Sequence, residues 1–116
     1  MQAKGIVKLE GLAVFLASSI FYFYLGGSIW LYLVLALAPD LSMVGYLKNA
    51  RVGSYVYNLF HNYVIPLVLL VTAMFFEQPL LIGICLIWIA HIGMDRLCGF
   101  GLKYPTAFSE SHMNQI

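Results

Sequence analysis

Charge is what this chain has least of: 9% of its 116 residues are Asp, Glu, Lys or Arg, against 62% that are hydrophobic. A soluble domain carries roughly a quarter charged residues, so water is not the solvent this composition is suited to. The net charge of +1 is too small to attract nucleic acid. Cysteine is scarce as well, and Cys85 and Cys98 would lie about 20 Å apart along a continuous helix, out of reach of a disulfide. No repeat, low-complexity tract or polar extension of domain size interrupts the chain, which reads as a single integral membrane domain over residues 1–116.

What is there instead is uncharged length. Residues 11–39, 52–76 and 78–94 contain no Asp, Glu, Lys or Arg. A membrane helix needs roughly 20 apolar residues, so the second and third stretches are one span each and the first is too long for one. Gly26-Gly27-Ser28 divides it, because paired glycines accept the positive φ of a chain reversal. The halves read as helices over 8–25 and 28–38, the latter short enough to be re-entrant. Glu77-Gln78-Pro79 marks the other tight turn, with Pro79 suited to the first turn of the last helix. The expected fold is therefore all-α, a polytopic four-helix transmembrane bundle. Lys4 and Lys8 ahead of an apolar run resemble a signal peptide, but the run exceeds an h-region of about 7–15 residues and is expected to stay in the mature protein.

Basic residues set the expected orientation. Lys4, Lys8, Lys48, Arg51, Arg96 and Lys103 all fall on one side of a four-helix topology, while the opposite turns offer only Glu77. The positive-inside rule puts both termini and the middle loop in the cytoplasm.

The same topology gathers Glu10, Asp40, His61, His91 and Asp95 toward that side. Ionisable groups at membrane depth are expensive to leave unpaired and usually face a protein interior or a hydrated cavity. His91 and Asp95, four apart, share a helix face. Together the five form a nitrogen and oxygen ligand set for zinc, manganese or iron, and such a metal would polarise a phosphoryl oxygen and acidify a water. Arg51, Arg96 and Lys103 could hold a phosphate by charge-assisted hydrogen bonds. Each residue also has a plainer reading. His91 and Asp95 form a hydrogen-bonded pair that locks the last helix; Asp40 caps a short helix over 41–47; His61 pairs with Asn58 or Tyr57; Glu10 marks the interface. Tyr22, Tyr24, Trp30, Tyr32 and Trp88 are read as packing or interfacial residues.

Four blocks carry a resemblance: Pro39-Asp40-Leu41-Ser42-Met43-Val44-Gly45-Tyr46, Tyr57-Asn58-Leu59-Phe60-His61, Ala90-His91-Ile92-Gly93-Met94-Asp95-Arg96, and Gly99-Phe100-Gly101-Leu102-Lys103-Tyr104-Pro105. They resemble the domain-of-unknown-function 4260 family of small bacterial membrane proteins over nearly the whole chain, a resemblance that implies no activity. Pro39-Asp40, His61, His91-x-x-x-Asp95 and Pro105 are more distantly similar to membrane-bound metal-dependent hydrolases related to zinc-dependent phospholipase C. That similarity implies metal ligation by Asp40, His61, His91 and Asp95, although Asn62 and Tyr63 stand where those hydrolases carry Thr-His-Ser. The function expected from these residues is a metal-dependent hydrolase of phosphoester or lipid-phosphate substrates, with Glu10 as a further ligand or general base and Arg51, Arg96 and Lys103 on the phosphate. The alternatives are a transporter or channel for a small ion or solute and a structural membrane protein, and assembly into oligomers is compatible with each.

Overall fold

The computed structural model describes residues 3–36 and 49–99, and all regular structure within them is helical. Five segments follow one another: α1 (Ala3–Tyr24), α2 (Ile29–Leu35), α3 (Ala50–Phe60), α4 (Val64–Phe75) and α5 (Pro79–Leu97). Three stretches of the described residues are long and apolar enough to cross a membrane: Ala3–Tyr24, Arg51–Phe75 and Pro79–Leu97. The second is α3 and α4 taken together. These three spans and the short α2 make the expected four-helix arrangement.

Both expected turns are present. Gly26 takes φ +83°, and Gly27 packs directly on the ring of Tyr22, where any side chain would collide with it. Tyr22 Oη then donates to the Ser28 carbonyl at 2.8 Å, and Ser28 Oγ caps α2 by accepting from the Leu31 N–H at 3.4 Å. At the other turn Glu77 takes φ 52° and Pro79 opens α5. Cys85 is buried, Cys98 exposed, and both are free thiols.

α5 is the centre of the bundle: half of its span is buried, against 17% of α1 and of the α3–α4 span. α1 lies against it so closely that backbone meets backbone. A Cβ on Gly11 would sit 2.6 Å from the Gly93 carbonyl, and one on Gly93 would sit 2.7 Å from the Gly11 carbonyl. Between helices in lipid, where exclusion of water drives nothing, such close approach is how van der Waals contact is gained.

The span expected over residues 52–76 is present as Arg51–Phe75, and within it the helix breaks at His61-Asn62-Tyr63. Pro66 is the cause: it has no N–H to offer the residue four back, and its ring crowds that residue's carbonyl. It therefore belongs in the first turn of a new helix, and the chain starts one at Val64. His61 accordingly lies not inside a helix but as the C-terminal cap of α3.

Candidate metal centre at a helix break

A broken helix inside a membrane exposes carbonyls that neither lipid nor water can satisfy, so they need partners within the protein. Each carbonyl from Tyr57 to His61 has one. His61 Nδ1 lies 2.8 Å from the Tyr57 carbonyl oxygen. Asn62 Nδ2 turns back and donates to the carbonyls of Asn58 and Leu59 at 2.8 and 2.9 Å. Its Oδ1 meanwhile accepts the Ile65 N–H at 3.1 Å, so one side chain closes α3 and opens α4. From α5, Trp88 Nε1 donates to the Phe60 carbonyl at 2.6 Å and Arg96 Nη2 to the His61 carbonyl at 2.9 Å.

That accounting fixes the chemistry of His61. A carbonyl oxygen only accepts, so Nδ1 carries the hydrogen and Nε2 presents its lone pair in the neutral ring. The ring is held flat on Tyr57, centroids 3.7 Å apart and planes 2° from parallel. Its Nε2 points at Asp95 Oδ2, 3.4 Å away, and His91 Nε2 reaches the same oxygen at 3.2 Å. The two imidazoles meet at 62° with centroids 5.3 Å apart. His61 is fully buried, while the Asp95 side chain keeps 18% of its surface accessible.

Two imidazole nitrogens facing one carboxylate oxygen are mutually repulsive unless a cation or protons lie among them. The ligand atoms of His61, His91 and Asp95 fall within 4.8 Å of one another, types and spacing that could hold a metal ion. With metal–ligand bonds of about 2.0–2.2 Å, neighbouring ligands are about 3.0–3.5 Å apart in octahedral or tetrahedral coordination. The edges of 3.4 and 3.2 Å fit that range. The Tyr57 carbonyl stands behind His61 and fixes its tautomer, the arrangement that outer partners give to metal-bound histidines.

Of the expected site residues, then, the structure brings His61, His91 and Asp95 together. Glu10 is exposed and lines a separate cleft with Tyr63 and Arg96. Arg96 is buried, its guanidinium engaged with the His61 carbonyl and set 5.7 Å from the Tyr63 ring centroid. Arg51 is exposed at the start of α3, over the Tyr55 ring. Asp40 and Lys103 lie outside the described residues. Sequence reasoning paired His61 with Tyr57 but missed the roles of Asn62 and Trp88; the signal that would have found them is Pro66 inside an apolar run, which demands a break and hence partners for it.

These features define an integral membrane protein of the polytopic α-helical class, with a His-His-Asp cluster built on a discontinuous helix. The chain belongs to the family described as Domain of unknown function (DUF4260), whose model matches residues 4–116. No curated protein and no solved structure matches it.

Proposed function

We propose that the protein is a metal-dependent hydrolase of the bacterial inner membrane, acting on phosphoester or lipid-phosphate substrates from the cytoplasmic side. The observation that supports it is the convergence of two imidazole Nε2 atoms on Asp95 Oδ2, with the His61 tautomer fixed from behind by the Tyr57 carbonyl. In this reading His61, His91 and Asp95 hold one divalent ion, zinc, manganese or iron, and Asp40 adds a further carboxylate. The ion would lend Lewis acidity to a phosphoryl oxygen and lower the pKa of a water. Arg51 and Lys103 serve the substrate's negative charge. Arg96 acts on the ligand set rather than the substrate: by holding the His61 carbonyl it keeps the imidazole in place. The basic residues on one side of the topology favour cytoplasmic termini.

An ion pathway receives less support. The cavity at the opposite end of the bundle, about 390 Å3, is walled mainly by Tyr22, Leu25, Leu31, Leu80, Ile82 and Leu86. Among the residues lining it there is no carboxylate or imidazole to carry the polar cluster onward.

The test is elemental analysis of protein purified in mild detergent without added metal, followed by metal titration. Wild type is expected to retain or take up about one divalent ion per chain, and His91→Ala to hold under a tenth of that. Protein that takes up no metal, with His91→Ala lowering only thermal stability, would reduce the cluster to a hydrogen-bonded lock. Metal without phosphoester cleavage would remove the hydrolase while keeping the centre.

A further inference from the structure

A second feature lies across α5 from the cluster. α1, α4 and α5 enclose an open cleft of about 630 Å3 whose walls are apolar, with Val7, Val14, Leu67 and Ile89 among them. Positions 89 and 96 of α5 line it, whereas 91 and 95 face the cluster, so the two features occupy different faces of one helix. The cleft opens between spans whose surroundings are bilayer.

Three polar residues share this apolar lining: Glu10, Tyr63 and Arg96. Glu10 stands about 10 Å into α1, and Gly11 beside it abuts Arg96 Cβ, so carboxylate and guanidinium arise at one level of the membrane. Among the described residues Glu10 makes no hydrogen bond or ion pair. Tyr63 Oη is buried and likewise has no hydrogen-bond partner. Set among apolar walls at the last turn of α5, where its span ends, the exposed carboxylate and the phenol are open to a polar ligand.

We infer that the cleft binds a phospholipid whose zwitterionic head carries a primary ammonium. The acyl chain lies along Val14, Leu67 and Ile89, the ammonium meets Glu10, and a phosphate oxygen accepts from Tyr63 Oη beside the positive charge of Arg96. A purely anionic head would be repelled by Glu10, and a quaternary ammonium has no N–H to donate to it. Arg96 needs no spare donor for this, since its charge suffices while Nη2 stays on the His61 carbonyl. The lipid is a ligand distinct from any substrate of the metal centre, and neither reading rests on the other.

The test measures retention of defined lipids by the purified full chain, using native mass spectrometry after exchange into phosphatidylethanolamine, phosphatidylcholine or phosphatidylglycerol. Wild type is expected to keep phosphatidylethanolamine over phosphatidylcholine by about tenfold, the factor one charge-assisted hydrogen bond supplies. Glu10→Gln should erase that preference while chain binding and metal content persist. Val14→Trp, filling the cleft, should lower retention of all three lipids by a similar factor, again with metal content unchanged. Equal retention of the three by wild type, or a preference that survives Glu10→Gln, overturns the assignment and leaves ordinary surrounding lipid. Absence of metal with the lipid preference intact would defeat only the hydrolase reading.

Discussion

α3 and α4 are the two halves of one span, eleven and twelve residues long, and they solve opposite problems. α3 buries a polar stripe: Gly53, Ser54 and Tyr57, leading to His61 at its end. α4 is apolar all round but for Thr72, whose hydroxyl donates to the Val68 carbonyl; it buries only Pro66 and Ala73, and turns Val64, Leu67, Val68, Val71, Met74 and Phe75 outward. A helix hydrophobic all round can stand in lipid as it is, whereas one with a polar stripe must find protein to cover it. The break lets the halves point their residues independently. An unbroken helix would carry His61 in a register set by α4, about 100° per residue from each lipid-facing neighbour.

The largest effect should come from erasing that independence. Replacing Asn62 and Pro66 together by alanine restores the backbone donor at 66 and removes the side chain that closes both helix ends. A continuous helix would turn His61 away from Asp95. Metal affinity should fall by more than about tenfold, as when the outer support of a ligating histidine is lost. Calorimetric titration measures it, and unchanged affinity would mean that the break is incidental to the cluster.

A smaller loss is expected from Arg96→Met, which keeps the volume and leaves the His61 carbonyl without that donor. The destabilisation should be about 1–3 kcal/mol, read from thermal or detergent-induced unfolding, because a buried acceptor is left unsatisfied. Arg96→Lys should recover part of it, since an ammonium donates but lacks the reach and planarity of the guanidinium fork.

The smallest effect belongs to α4. Val71→Leu on its outward face should shift stability by no more than about 0.5 kcal/mol, the range for exposed substitutions that touch no special feature. A loss of several times that size would show that this face meets a second protein surface rather than lipid.

Much of this was open to reading in the residues. Uncharged runs located the spans, Gly26-Gly27 and Glu77-Gln78-Pro79 located the turns, and the four-residue spacing of His91 and Asp95 placed both on one face of α5. The convergence of His61 with that pair followed from alternating helix directions. The break did not, because a run of apolar residues looks the same to hydropathy whether or not a proline divides it. Trp88 was equally hidden: an indole that fits an interfacial belt by composition is here a hydrogen-bond donor to a carbonyl 28 positions earlier, a partnership that exists only in three dimensions. His61 likewise satisfies both of its expected descriptions, bonding within α3 through one nitrogen and facing Asp95 through the other.

The carbonyls at the break also constrain how the protein can be made. α3 and α4 emerge from synthesis before α5, yet two of the donors those carbonyls require, on Trp88 and Arg96, arrive 28 and 35 residues after their acceptors. Released into lipid alone, that span would leave the Phe60 and His61 carbonyls bare, at several kcal/mol each. The broken span is therefore not an independent insertion unit. It must wait at the interface or within the insertion machinery until α5 follows, so that the last helix serves as the template on which the preceding one completes its own backbone.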